Sequence, residues 1–207
     1  MTRLFSILAG LAVVALVAVT YVLTQRGGDG DQFAECRAGA VAGGTSAIGG
    51  PFTLVSETGE TVTEEDVIDK PTLIYFGYTF CPDVCPIDNA RNVAAVDLLE
   101  ERGIDAKPVF ITVDPGRDTV EVMREFTDAF DSRLLGLTGS EEQIQAASKA
   151  YRSFYSKQDN GDPDYYLVDH STFTYLTLPD HGFVEYFRRD DTAEQMADRV
   201  QCFVDAG

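Results

Sequence analysis

Two thiols, Cys81 and Cys85 in Cys-Pro-Asp-Val-Cys-Pro, are the side chains in this sequence best suited to chemistry. They follow an apolar run at residues 72–76 and precede a helical pattern that Pro86 would open. Proline suits the first helical position, where its missing N–H costs little. The sulfurs are therefore expected in the loop and first turn of a helix, whose electropositive end lowers thiol pKa values. Thiolates are both soft metal ligands and the species that exchange disulfides. Three uses are open: a small structural disulfide, a redox dithiol, or a metal clip. A bridge across so short a loop gains little chain entropy. Thioredoxin-type redox pairs have two intervening residues, whereas three intervene here, which departs from that pattern without forbidding a disulfide. A metal clip becomes specific with a nitrogen ligand, and the chain has only 2 histidines. His170, between a strand and a hairpin, is the better candidate, although a histidine in such a place is more often a hydrogen-bonding turn residue. His181, between Asp180 and Gly182, reads as an exposed turn residue.

The elements that must position these groups are legible as alternating patterns. Residues 52–55 and 60–62 flank Ser-Glu-Thr-Gly, a turn-like cluster, and read as a β-hairpin. Thr63 caps a short helical turn to Val67. Residues 71–78 and 107–113 are continuous apolar runs of the kind found in strands buried on both faces. A helix is expected from Pro86 to Arg102 between them. Further helices follow Asp118, Ser140 and Asp191, each placed as a cap before a helical pattern. Strands are expected at 134–137, 165–168, 173–178 and 183–187. Strands alternating with helices, closed by a late hairpin, predict a three-layer α/β sandwich around a mixed sheet. A strand, a cysteine pair and a helix in succession is the thioredoxin-like arrangement.

Ahead of this domain the composition changes. Residues 4–23 run uncharged and mostly apolar between Arg3 and Arg26, and about 20 apolar residues span a bilayer as a helix. The run is longer than the ~7–15 residues of a signal-peptide core and lacks a clean small-x-small site. A single uncleaved transmembrane anchor over 1–25 is expected. A Gly-, Ala- and Ser-rich tether over 26–48 and a globular domain over 49–207 follow. The positive-inside bias is weak, but a three-residue tail is easily left in the cytoplasm, and no Arg-rich import presequence is visible. These points suggest a bacterial inner-membrane protein, single-pass, with its C-terminal domain in the periplasm, where disulfides persist. The net charge of −18 makes nucleic acid a poor partner.

Four segments resemble the SCO/SenC family, named for synthesis of cytochrome c oxidase. They are Phe76-Gly-Tyr-Thr-Phe-Cys-Pro-Asp-Val-Cys-Pro86, Val109-Phe-Ile-Thr-Val-Asp-Pro-Gly-Arg-Asp-Thr119, Leu135-Gly-Leu-Thr-Gly139 and Val168-Asp-His-Ser-Thr-Phe-Thr-Tyr-Leu176. The likeness runs from about Gly49 to the last helix, in family order and spacing. It implies a thioredoxin-like fold with an inserted late hairpin, and a copper ion held by Cys81, Cys85 and His170. Two thiolates and an imidazole suit Cu(I) and also take Cu(II). The implied role is a copper metallochaperone for the binuclear copper A centre of cytochrome c oxidase subunit II, fed by an upstream periplasmic copper donor. The competing roles are a thiol–disulfide oxidoreductase that uses Cys81 and Cys85 to reduce the copper A cysteines, and a copper or redox sensor. The chaperone reading fits better than an enzymatic one.

Asp114, Arg117 and Asp118 follow a buried strand and should lie at the cysteine end of the sheet. They could orient ligands or meet the partner. Helix capping by Asp118 and an ion pair between Asp118 and Arg117 are the structural alternative. Asp169 could support the histidine or offer a weak oxygen ligand. Tyr75, Phe76, Tyr78 and Phe80 read as packing groups. Cys36 and Cys202 lie outside the copper signature. In an oxidising compartment they most simply pair with each other, closing a long loop worth roughly 4–5 kcal/mol in the chain-entropy model. Intermolecular pairing and free thiols remain open.

Overall fold

The computed structural model describes residues 13–21, 31–39, 44–159, 161–162 and 165–207. Its centre is β3 (Thr72–Gly77), six residues that are all buried. Side chains alternate across a strand. Leu73 and Tyr75 therefore face one side and Ile74 and Phe76 the other, and all four are fully buried. Both faces of the sheet are thus covered, as a three-layer sandwich requires. β3 pairs in parallel with β4 (Lys107–Thr112), and β4 in parallel with β5 (Leu135–Thr138). The hairpin of β1 (Thr53–Ser56) and β2 (Thr61–Thr63) joins antiparallel to β5. On the other side β8 (Thr174–Leu178) runs antiparallel to β3 and to β9 (Gly182–Phe187). The mixed sheet has the order β2-β1-β5-β4-β3-β8-β9.

The helices are α1 (Glu64–Val67), α2 (Val84–Glu101), α3 (Val120–Asp128), α4 (Glu141–Ala150) and α5 (Ala193–Ala206). Capping boxes start α1 at Thr63 and α4 at Ser140. Two expected caps are corrected. Thr119 rather than Asp118 caps α3, and Thr192 rather than Asp191 caps α5, each accepting from the amide three residues on. Asp118 is fully buried and accepts from the Thr79 amide at 3.0 Å, the Thr79 hydroxyl at 2.6 Å and the Thr112 hydroxyl at 2.5 Å. Burial raises its pKa, which those hydrogen bonds oppose. Its work is to tie the segment after β3 to the end of β4. Arg117 pairs with Asp114 instead, through an Nε–Oδ2 contact of 2.5 Å.

The strand carrying His170 is the largest departure from expectation. It is β7 (Val168–His170), and it does not pair with β8. It forms a separate two-stranded antiparallel sheet with β6 (Tyr155–Lys157), with Tyr155 opposite His170. The reason is geometric: both edges of β8 are already occupied, by β3 and β9. β6 carries no strand signal in the sequence, because Tyr-Ser-Lys is short, partly exposed and without apolar alternation.

A compact unit spans Cys36–Gly207. Within it a disulfide joins Cys36 to Cys202, with Cα atoms 5.6 Å apart. The adjoining Arg37 donates to the Val184 carbonyl at 3.3 Å and the Ala38 amide to the Glu185 carboxylate at 3.0 Å, so this segment runs beside β9, one of the two edge strands. Most of the anchor expected over 1–25 lies outside the described residues; residues 13–21 of it are helical. Among the described residues no helix is long and apolar enough to cross a membrane.

Candidate metal centre

The site is built at the carboxyl ends of β3 and β4, where the chain leaves the sheet. α2 begins at Val84, two residues before the expected start, so Pro86 is its third residue and Cys85 its second. Cys81 lies in the preceding loop. The residue before the helix, Asp83, makes no capping hydrogen bond with its side chain. The Cys81 sulfur takes that place, accepting from the Cys85 amide at 3.4 Å. A sulfur aimed at a helix N-terminus is stabilised as thiolate. The Cys81 pKa falls to about 3, first through the hydrogen bond from the Cys85 thiol, then through His170 and the Asp83 and Cys85 amides, against burial. The Cys85 thiol moves upward because ionising it would place a second negative sulfur beside Cys81 in a buried site. The pair thus holds one proton, on Cys85.

His170 completes the cluster. Its Nδ1 lies 2.9 Å from the Ser171 carbonyl oxygen. A carbonyl only accepts, so Nδ1 carries a proton, and Nε2 is the ring nitrogen left to face the sulfurs. Nε2 lies 3.3 Å from the Cys85 sulfur. The rings of Tyr75 and Tyr78 meet the imidazole edge-on at 6.0 and 5.8 Å. One donor atom from each of Cys81, Cys85 and His170 lies within 4.8 Å of the others. Both cysteines are free and buried. Two sulfurs and an imidazole nitrogen form a soft set of the kind that selects Cu(I) or Zn.

Room for the Cys85 sulfur comes from Gly77. A Cβ there would lie 2.8 Å from Cys85 Sγ, 2.8 Å from the Phe110 ring and 2.9 Å from the Tyr75 ring. Beneath the site the Tyr75 hydroxyl donates to Asp88 at 3.0 Å. Arg91 and Arg189 approach the same carboxylate at 3.4 and 3.5 Å. Burial raises the Asp88 pKa, opposed by Arg91, Tyr75 and Arg189. Neither Gly77 nor Asp88 stands out in the sequence as a site residue. The only sequence signal for Asp88 is an acid three residues after Cys85 in a helical segment.

Asp169 is not brought in. It neighbours His170 on a strand, so its side chain points the other way, and it accepts from Gln158 at 2.8 Å. His181 is exposed in the turn between β8 and β9. Asp114 is fully buried nearby, but its partners are Arg117, Tyr166 and Lys157.

A family model described as SCO1/SenC matches residues 40–205. Protein SenC of Rhodobacter capsulatus is 57% identical over 199 residues, covering 96% of this chain and 89% of that protein. The mitochondrial Protein SCO1 homolog 1 of Arabidopsis thaliana is 44% identical over 158 residues, 76% of this chain. This match spans about half, 47%, of the Arabidopsis protein. Among solved structures, Arabidopsis thaliana ScoI with copper bound superposes with a TM-score of 0.72 at 41% identity, covering 77% of this chain and 99% of that one. Bradyrhizobium japonicum ScoI with copper bound gives 0.68 at 37% identity, covering 75% and 98%. The chain belongs to the SCO1/SenC family.

Proposed function

We propose that this chain is a copper metallochaperone. It holds a copper ion as cargo between Cys81, Cys85 and His170, and it passes that ion to the copper A site of cytochrome c oxidase subunit II. The observation that carries this is the imidazole: with Nδ1 committed to the Ser171 carbonyl, Nε2 is the ring nitrogen turned to the two sulfurs. The copper-bound state of relatives 41% and 37% identical supports the choice of metal. Loading copper displaces the proton from Cys85, and transfer proceeds by ligand exchange as a partner's donors replace these three. Phe80, next to Cys81, and Ile87, two residues after Cys85, are 48% and 58% exposed, and such apolar groups suit transient docking of a protein. Anchoring by residues 1–25 in a bacterial inner membrane, with the domain in the periplasm, belongs to the same proposal. It is supported by the apolar run at 4–23 and by the Cys36–Cys202 disulfide, which suits an oxidising compartment.

The depressed pKa of Cys81 also favours thiol–disulfide exchange with the partner's cysteines. His170 separates the two roles, because dithiol exchange has no need of it. His170→Ala should abolish transfer of copper to a purified subunit II copper A domain while leaving dithiol exchange largely intact. Copper transfer that survived His170→Ala would overturn the assignment.

A further inference from the structure

His170 stands on β7, outside the seven-stranded sheet, whereas the cysteines follow β3 in its middle. No ladder hydrogen bond therefore sets the distance between them, and something else must. Asp114, fully buried just after β4, accepts from Arg117 Nε at 2.5 Å and from the Tyr166 hydroxyl at 2.7 Å, and lies 3.5 Å from Lys157 Nζ. Lys157 is on β6, opposite Val168 of β7, and Tyr166 stands two residues before β7. One carboxylate just after β4 thus grips β6 and the segment that leads into β7. The Arg117 guanidinium lies 3.7 Å from the Tyr166 ring centre, 4.8 Å from that of Phe80 and 5.8 Å from that of Tyr78. Phe80 precedes Cys81 directly, so Arg117 joins the hairpin to the cysteine loop.

We infer that Asp114, Arg117 and Tyr166 are positioning residues, a clamp that holds the His170 hairpin against the cysteine loop so that the three donors converge. None of the three belongs to the donor cluster itself. The inference rests on the copper reading above, and its test keeps the two apart.

The test compares Arg117→Ala, Arg117→Lys and Tyr166→Phe with the unaltered chain and with His170→Ala. Cu(I) affinity is read by competition with a chromogenic chelator. Amide exchange is read separately, in copper-free protein, at the hairpin hydrogen bonds Gln158 N–Leu167 O and Ser171 N–Phe154 O. Hydrogen bonds to charged groups contribute enough that Arg117→Ala should weaken Cu(I) binding roughly ten- to a hundred-fold. The same change should speed exchange at Gln158 and Ser171 at least about ten-fold, with the β3–β4 ladder unchanged. Tyr166→Phe, which removes one hydroxyl and keeps the ring, should show the same pattern more weakly. Arg117→Lys restores charge without the stacked plane and should recover part of the loss. Unchanged affinity in Arg117→Ala and Tyr166→Phe, with copper lost in His170→Ala, would overturn the clamp alone. Exchange accelerated equally throughout the domain would also overturn it, since the cluster would then serve only the fold. Copper retained in His170→Ala would instead overturn the underlying copper reading.

Discussion

Gly77→Ala tests whether the sheet leaves room for the site or is built around it. The added methyl would sit 2.8 Å from the Cys85 sulfur, 2.8 Å from the Phe110 ring and 2.9 Å from the Tyr75 ring. Ordinary carbon–carbon contact is about 3.5–4.0 Å, and contact with sulfur is no shorter, so something must move by roughly 0.7–1 Å. The backbone of β3 is pinned on both sides, by β4 and β8. Tyr75 and Phe110 are fully buried. Cys85 is as fully buried as the two rings, but any shift of it moves the sulfur that lies 3.3 Å from His170 Nε2. Overpacking a core costs about 1–3 kcal/mol, and a glycine-to-alanine change returns about 0.4–1 kcal/mol through the unfolded chain. The expected net loss is about 1–2 kcal/mol in urea unfolding of the copper-free protein. A displacement of about 1 Å can cost on the order of a hundred-fold at a site that depends on geometry, so Cu(I) affinity should fall by one to two orders of magnitude in chelator competition. Both readouts are needed. Wild-type affinity together with wild-type stability would refute the reasoning, because three contacts this short cannot all be absorbed without consequence.

Two further outcomes follow from the cysteines. Replacing Cys36 and Cys202 by serine removes a link between positions separated by 166 residues, and should destabilise the domain by about 5 kcal/mol in denaturant unfolding while leaving Cu(I) binding to the folded fraction unchanged. In the reduced, copper-free protein, Cys81 with a pKa of about 3 is a thiolate at neutrality. Its alkylation by iodoacetamide should stay nearly flat from pH 8 down to about pH 5, where an ordinary thiol slows ten-fold per unit. The sign of the linked stability is set by the direction of the shift. The folded pKa lies below the unfolded value of 9.0, so the contribution of Cys81 is complete above that value and is lost as pH falls towards about 3. Cys85, shifted upward, works against stability at alkaline pH. An alkylation profile that bends near pH 8 would exclude the thiolate assignment.

Much of this protein is written locally. The apolar run Leu73-Ile-Tyr-Phe76 of β3 announces a buried central strand, Ser140 and Gln143 a capping box, and Cys-Pro-Asp-Val-Cys a thiol pair at a helix start. These signals depend on neighbours within a few positions, so the sequence alone carries them, and four ordered motifs carry the family. Where local chemistry offered two adjacent candidates, neighbours could not decide. Asp118 and Thr119 both suit an N-cap, and the buried hydroxyls of Thr79 and Thr112, which come from distant positions, drew Asp118 inward and left the cap to Thr119. The tautomer of His170 depends on the Ser171 carbonyl, and its distance from the cysteines on the packing of a hairpin 85 residues further along. That β7 pairs with β6 follows from the occupied edges of β8. The identity of the donors is a property of the sequence. Their convergence is decided by tertiary structure, because it joins two separate sheets through Asp114 and Arg117, and no periodicity of a single chain segment encodes a contact between sheets.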